Sequence, residues 1–168
     1  HNVIGQKQKY DDPFRNVVSI MINLILQNRR PIIFGDGSQM RSFSDIKDCI
    51  YCIDKLVTNK NIKSETFNIG PDEESISINE LYQILSNKLK FNKEPRYFDD
   101  RPNEVKKAIC SSEKARKMLN YKTTVSLSES IDNVIHYIKK NKPRKFTYNK
   151  TLEILNKKTP KPWREKLY

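Results

Sequence analysis

The chain has 168 residues, enough for one domain or a domain and a half, and 36% of them are hydrophobic, so a core can form. No apolar run approaches the roughly 20 residues a membrane-spanning helix needs, which excludes a helical membrane protein and predicts a soluble one. The formal charge is +12, yet 11 Lys and Arg against 2 Asp and Glu lie within residues 139–168, so a solvated basic tail explains the excess better than a nucleic-acid partner.

In chain order, "HNVIG" reads as the end of a strand whose beginning is missing, and the chain is expected to be a fragment. Asn16 heads the run "VVSIMINLILQN" as a helix N-cap, and the spacing predicts a helix over 16–28. Its polar residues Ser19, Asn23 and Gln27 recur every four positions among apolar neighbours, so that helix is expected to be largely buried. "RPIIF" is a short strand closed by a Gly35-Asp36-Gly37 turn. Ile46, Cys49, Ile50, Ile53, Leu56 and Val57 mark an amphipathic helix with that stripe as its apolar face.

"ETFNIG" reads as a strand ending at Gly70. Ser77 and Glu80 form a capping box before a helix over 79–90 whose apolar face holds Leu81, Ile84, Leu85 and Leu89. "PRYF" and "KKAIC" are further candidate strands, and Ser111 can cap a short helix over 112–119. Ser126 and Glu129 make a second capping box, opening a helix with Leu127, Ile131, Val134, Ile135 and Ile138 on one side. Beyond Lys142 the prolines and charges predict a weakly structured basic tail over 143–168, with a turn of helix around "TLEIL". Alternating strands and helices place residues 1–142 in the α/β class.

Glycines occur only at 5, 35, 37 and 70, so no GxGxxG dinucleotide loop is present. His1 is terminal and His136 sits in a predicted helix, which leaves no Ser-His-Asp or Cys-His arrangement. Cys49 and Cys52 have CxxC spacing but no second close pair, so no metal or redox centre is expected. The odd count of three cysteines points to a reducing, cytoplasmic setting. Tyr51 and Lys55 reproduce a Tyr-x-x-x-Lys spacing, but at about 100° per residue they lie opposite the apolar stripe and read as surface residues.

What remains is an inventory suited to anions. Asn2 follows a strand end, Asn16 heads a helix whose free N–H groups suit a phosphate, and Arg41 follows the Gly-Asp-Gly turn. Arg101 and Glu104 share one short loop. Two arginines and a helix N-terminus could hold a diphosphate, with Glu104 accepting from a sugar hydroxyl; structural salt bridges are the alternative.

These residues, in this order, resemble the C-terminal half of the NAD-dependent nucleotide-sugar epimerase/dehydratase family, the extended short-chain dehydrogenases. "HNVIGQKQ", "DPFRNVVSIMINLILQNRRPIIFGDGSQMRSFSDIKD", "TFNIG", "RPNEV" and "SEKARKMLNY" carry the resemblance, most specifically from Asp12 to Asp48. It implies the small substrate-binding domain of a Rossmann-type enzyme, with residues of about 45–70 returning to the Rossmann part. Asn2 would lie near the sugar and diphosphate, and Asn16 and Val17 would face the substrate. Ile33 and Phe34 would pack on the base, Arg41 and Arg101 would grip the diphosphate, and Glu104 would meet the ribose.

The resemblance further implies NAD bound mainly by an upstream half that also carries the catalytic Tyr-x-x-x-Lys pair, and a homodimer. The implied activity is epimerisation at sugar C4, nearest to the branch acting on UDP-glucose and UDP-galactose. A 4,6-dehydratase or decarboxylase of the same family, or a non-catalytic sugar-nucleotide binder, is the alternative. The chain departs from the family where Arg41-Ser42-Phe43 replaces Arg-Asp-Phe, where Lys47-Asp48 replaces a paired aspartate, and where Asn103 replaces a loop glycine.

Overall fold

The computed structural model describes residues 2–148 and 156–168, so the helical turn expected at "TLEIL" lies outside the described residues. In chain order the elements are β1 (Asn2–Ile4), α1 (Val17–Leu26), β2 (Ile32–Phe34), β3 (Met40–Arg41), β4 (Phe43–Asp45) and α2 (Ile46–Thr58). Then come β5 (Ile76–Ser77), α3 (Ile78–Leu89), β6 (Arg96–Phe98), β7 (Lys107–Ala108), α4 (Glu113–Leu119), α5 (Leu127–Asn141) and α6 (Lys161–Arg164). Three small sheets result: β1 parallel to β4, β2 parallel to β6, and β3 between antiparallel β5 and parallel β7. The architecture is α/β.

The helix starts follow their capping chemistry. The Asn16 side chain accepts the Val18 N–H at 3.0 Å and opens α1. At α3 the Ser77 hydroxyl accepts the Glu80 N–H at 3.1 Å, while the Glu80 carboxylate accepts the Ser77 N–H at 2.7 Å. Ser126 accepts the Glu129 N–H at 3.2 Å to open α5. The Ser111 hydroxyl accepts from Glu113 at 3.2 Å, and its neighbour Ser112 donates its own hydroxyl to the Gly70 carbonyl at 2.6 Å. Faces of α1, α3 and α5 then meet in the main core, where Met21, Ile22, Leu81, Leu85, Ile131 and Ile138 are fully buried. Burying an aliphatic side chain of this size contributes about 1.5–3 kcal/mol, so this layer holds the start of α1 in place.

Three expectations need correction. "ETFNIG" forms no strand: residues 65–69 have no ladder partner among the described residues, and Phe67 and Ile69 pack instead beside Cys52, Ala115 and Leu119. A strand exists only by pairing, and a β-propensity run without a neighbouring sheet edge stays irregular.

The apolar stripe of α2 is split: Cys49 and Leu56 face inward, but the rest of it does not. Ile50 and Ile53 are each 55% exposed and Val57 is 79% exposed, whereas Asp48, Cys49 and Cys52 are buried. The inner face is set by Cys52 against α4 and by the Asp48 carboxylate, which accepts both the Thr124 hydroxyl and the Thr124 N–H. Burial pushes the Cys49 thiol up to about 11 and raises that of Cys52, so both stay protonated at neutral pH. Tyr51 and Lys55 pair with each other, the ammonium 5.4 Å from the ring centre, and the Tyr51 hydroxyl donates to Leu119. Among the described residues no cluster of His, Cys, Asp and Glu suits a metal ion.

The third correction concerns the tail. Residues 143–148 run along α1: the Arg144 N–H donates to the Asn23 side chain at 3.0 Å, and its carbonyl accepts from Asn23 at 2.9 Å and from Gln27 at 2.9 Å. The Thr147 N–H donates to the Asp11 carbonyl at 2.8 Å. Farther on, Trp163, Leu167 and Tyr168 pack with Ile20, Leu24, Ile32 and Phe34 in a second core cluster. The polar stripe on α1 supplies bonds that a charged, proline-containing segment can dock against.

The loop before β5 carries a pH-sensitive tie. The Asp72 carboxylate accepts the Ser112 N–H at 2.7 Å and pairs with Arg116 at 2.7 Å. Ser112 first, and then Arg116, hold its pKa at about 2, below the ordinary 3.8. A depressed carboxylate contributes stability that is fully present above its unfolded pKa and is lost as pH falls through the folded one. Urea midpoints measured from pH 5 to pH 2 are therefore expected to fall more steeply for the unmodified chain than for Asp72→Asn, with the difference confined to the window between about 4 and about 2.

Candidate functional site

A cavity of about 270 Å³ opens where β2, the start of α1 and the Arg101 loop converge. Asn2, Asn16, Val17, Ile33, Phe34, Arg41 and Arg101 all line it, so seven of the eight residues expected from the sequence share one concavity. Glu104 lines the adjoining opening together with Arg41 and Arg101.

Each wall has a local cause. β2 brings Ile33 and Phe34 to the edge of the cavity, and the Gly35-Asp36-Gly37 turn then reverses the chain into β3. Gly35 and Gly37 have φ of +64° and +77°, the left-handed region that side chains disfavour. The turn is fixed from outside: Asn79 donates its side chain to the Asp36 carbonyl at 2.8 Å and its N–H to the Gly37 carbonyl at 3.0 Å. A Cβ at position 37 would sit 2.0 Å from the Asn79 side-chain oxygen. Gly37→Ala is thus expected to cost about 1–2 kcal/mol in a urea titration, from left-handed strain and displacement of Asn79.

Beyond the turn, Arg41 lies on β3, whose pairing with β7 sets it beside the Arg101 loop. Arg41 donates to its own neighbour, the Met40 carbonyl, at 2.8 Å and to one oxygen of Glu104. The Arg101 Nε donates to the other Glu104 oxygen at 2.5 Å. The Glu104 side chain is only 5% exposed and that of Arg41 13%. The salt-bridge alternative is therefore realised, and Glu104, expected on a ribose hydroxyl, has both oxygens engaged by the arginines. A buried carboxylate requires such partners, and here it fixes two guanidinium groups side by side at the cavity. Each guanidinium carries five N–H donors, so both retain donors for a ligand.

Asn103 has φ of +59°, which explains how it stands where the family has a loop glycine: asparagine is the side chain that best tolerates that region. Asn2 donates to the Ser42 carbonyl at 3.1 Å, which ties β1 to the residue that follows Arg41. Asn16 uses its side-chain oxygen as the cap, so the start of α1, with its positive dipole end, faces the same space as Arg41 and Arg101.

Sequence reasoning did not find Phe14, Arg15, Gln39, Trp163 or Tyr168, which also line the cavity. Gln39 is buried, donates to the Phe34 carbonyl at 2.9 Å and holds the turn closed from inside. The Tyr168 phenol is pushed above its ordinary range by burial. The buried Trp163 N–H lies beside that phenol, close enough to oppose the rise but not aligned as a hydrogen bond.

The cavity of this α/β domain joins an apolar shelf, a helix N-terminus and two adjacent arginines, the kinds of group that suit a phosphorylated ligand with a flat apolar part. The family model for GDP-mannose 4,6 dehydratase matches residues 1–134, and the chain belongs to that family. A Methanocaldococcus jannaschii protein with the provisional name UDP-glucose 4-epimerase is 37% identical over 145 residues, covering 83% of this chain and 44% of that protein. UDP-glucuronic acid 4-epimerase from Bacillus cereus, solved with UDP-glucuronic acid and NAD, is 31% identical with a TM-score of 0.76, over 84% of this chain and 44% of that one. UDP-glucose 4-epimerase from Thermotoga maritima, solved with UDP-glucose, is 29% identical with the same TM-score of 0.76, over 83% and 44%. The chain thus spans less than half the length of the proteins it matches.

Proposed function

We propose that this chain is the nucleotide-sugar-binding part of an NAD-dependent epimerase acting at C4 of a UDP-hexose, UDP-glucose and UDP-galactose foremost. The observation that carries the reading is the convergence of Arg41, Arg101 and the start of α1 on one cavity whose shelf is Ile33 and Phe34. Arg41 and Arg101 hold the diphosphate, Ile33 and Phe34 support the base, and Asn2, Asn16 and Val17 face the sugar side. Glu104 keeps the two guanidinium groups side by side and reaches the ribose only through the opening it lines. The similar proteins named above act on UDP-sugars, which supports uracil as the base.

The residues of this chain offer no dinucleotide loop, so NAD is assigned to a Rossmann half outside residues 1–168, and no hydride step is placed on these side chains. NAD supplies the transient oxidation at the sugar carbon when bound there. This chain contributes remote binding, which fixes the reacting carbon in position and is realised as rate rather than as affinity alone. The exposed stripe of Ile50, Ile53 and Val57 on α2 is where that Rossmann half docks in this reading. The enzyme is read as a cytoplasmic homodimer; no helix among the described residues is long and apolar enough to cross a membrane.

The family model's dehydratase description favours 4,6-dehydration as the second reading. Incubating the full enzyme with NAD and UDP-glucose and resolving the products by NMR separates the two. UDP-galactose is the expected product; a 4-keto-6-deoxy sugar would replace the epimerase reading with the dehydratase one.

A further inference from the structure

The family match ends at residue 134, yet the cavity has walls that come from beyond it. Trp163, on the short helix α6, meets Phe14 edge-on with ring centres 5.6 Å apart and Phe34 with ring centres 5.8 Å apart. The Arg101 guanidinium lies against both of these rings, 5.2 Å from the centre of Phe34 and 5.9 Å from that of Trp163. The segment is fastened just after α6. Arg29 and Arg96 donate to the Leu167 carbonyl at 3.2 Å and 3.0 Å, and the Tyr168 N–H donates to the Tyr148 hydroxyl at 3.2 Å. Before α6, Lys158 lines the opening next to Arg41 and Arg101, a third cation beside the clamp.

We propose that residues 156–168 are part of the nucleotide site, with Trp163 extending beside Phe34 the apolar wall on which the base packs. The inference rests on the reading of the cavity as a UDP site. A pyrimidine ring needs apolar faces and a few polar groups, and an aromatic side chain beside a base is worth about a tenfold to a hundredfold in affinity by alanine substitution. Phe34 alone gives one face. The indole, in edge contact with that ring, widens the apolar surface at the base end of the cavity.

Trp163 is the chain's single tryptophan, so its emission reports this wall and nothing else in the chain. UDP and inorganic pyrophosphate are titrated by calorimetry into the full chain, and tryptophan emission is followed in parallel. UDP is expected to change the emission with the calorimetric Kd. Trp163→Ala is expected to weaken UDP about tenfold to a hundredfold while leaving pyrophosphate within about twofold, and Trp163→Phe to restore most of the loss. UDP binding with unchanged emission and an unaffected Trp163→Ala variant would remove the C-terminal segment from the site while leaving the nucleotide reading standing. Equal weakening of UDP and pyrophosphate would place Trp163 behind Arg101 and overturn the base wall. No UDP binding by the unmodified chain would overturn the reading beneath both.

Discussion

A chain carrying both Arg41→Ala and Arg101→Ala is expected to lose UDP binding and, at the same time, about 3–5 kcal/mol of stability. The two losses have different causes. In the proposed site each guanidinium makes charge-assisted bonds of about 1.5–3 kcal/mol to a phosphate oxygen, so removing both is expected to take affinity down by several orders of magnitude. The stability loss comes from Glu104, whose two oxygens are held by these arginines and whose side chain is only 5% exposed. Stripped of both cations, that carboxylate either stays charged and unpaired or takes up a proton. Restoring neutrality with Glu104→Gln on the same background is expected to recover most of the urea midpoint but none of the UDP binding. A double variant as stable as the unmodified chain would show that Glu104 does not depend on the two arginines.

Asn23→Ala is expected to cost about 2–4 kcal/mol, a large effect for one uncharged residue on a helix. Asn23 is fully buried; its amide donates to the Tyr10 carbonyl at 3.0 Å and to the Arg144 carbonyl at 2.9 Å, and its oxygen accepts the Arg144 N–H at 3.0 Å. Truncation leaves backbone groups of two separate segments without their partner and opens a space beside α1. Gln27 still reaches the Arg144 carbonyl, so the segment loosens rather than departs. Hydrogen exchange reads this directly: the Arg144 and Thr147 amides are expected to lose protection while those in the middle of α5 keep theirs. Unchanged protection at Arg144 would mean that the tail is held by its aromatic residues alone.

Local signals were legible where the physics is local. A capping side chain, an apolar face and a glycine-framed turn are all satisfied within a few residues of themselves, and the starts of α1, α3 and α5 follow them closely. Arg41 and Arg101 stand 60 positions apart in the chain; residue chemistry offered them as a pair beside a salt-bridge alternative, the family resemblance gave them one role, and the β3–β7 pairing now supplies the physical reason they meet. What stayed hidden depended on distant partners. The Ser19, Asn23 and Gln27 stripe was visible, but its match, Arg144, lies 121 positions from Asn23 and carries no sign of it. The α2 stripe shows that the helix must be covered without saying by what, and the buried side was taken by Asp48 because Thr124 waits there to receive it. "TFNIG" has strand composition, and composition cannot create a sheet edge to pair with.

The site divides along the same line. The residues that line the cavity from β1, α1 and β2 come with compact motifs, whereas Trp163 and Tyr168 come from a segment whose charge and prolines resemble a solvated tail. Sole tryptophans are seldom left in solvent, since the indole buries a large apolar area and finds a partner for its N–H. That was the available signal. Its consequence is that the basic C-terminal end is partly a structural element, with Arg144 stacked 5.4 Å from the Tyr10 ring and Lys166 5.6 Å from that of Tyr148.

The diphosphate clamp is tested most directly by calorimetric titration of UDP into two proteins: the unmodified chain and the triple variant Arg41→Ala, Arg101→Ala, Glu104→Gln, which removes the clamp without leaving a buried charge behind. Saturable binding to the first and none to the second over the same concentration range is the predicted result. UDP binding to the triple variant as tight as to the unmodified chain would contradict it.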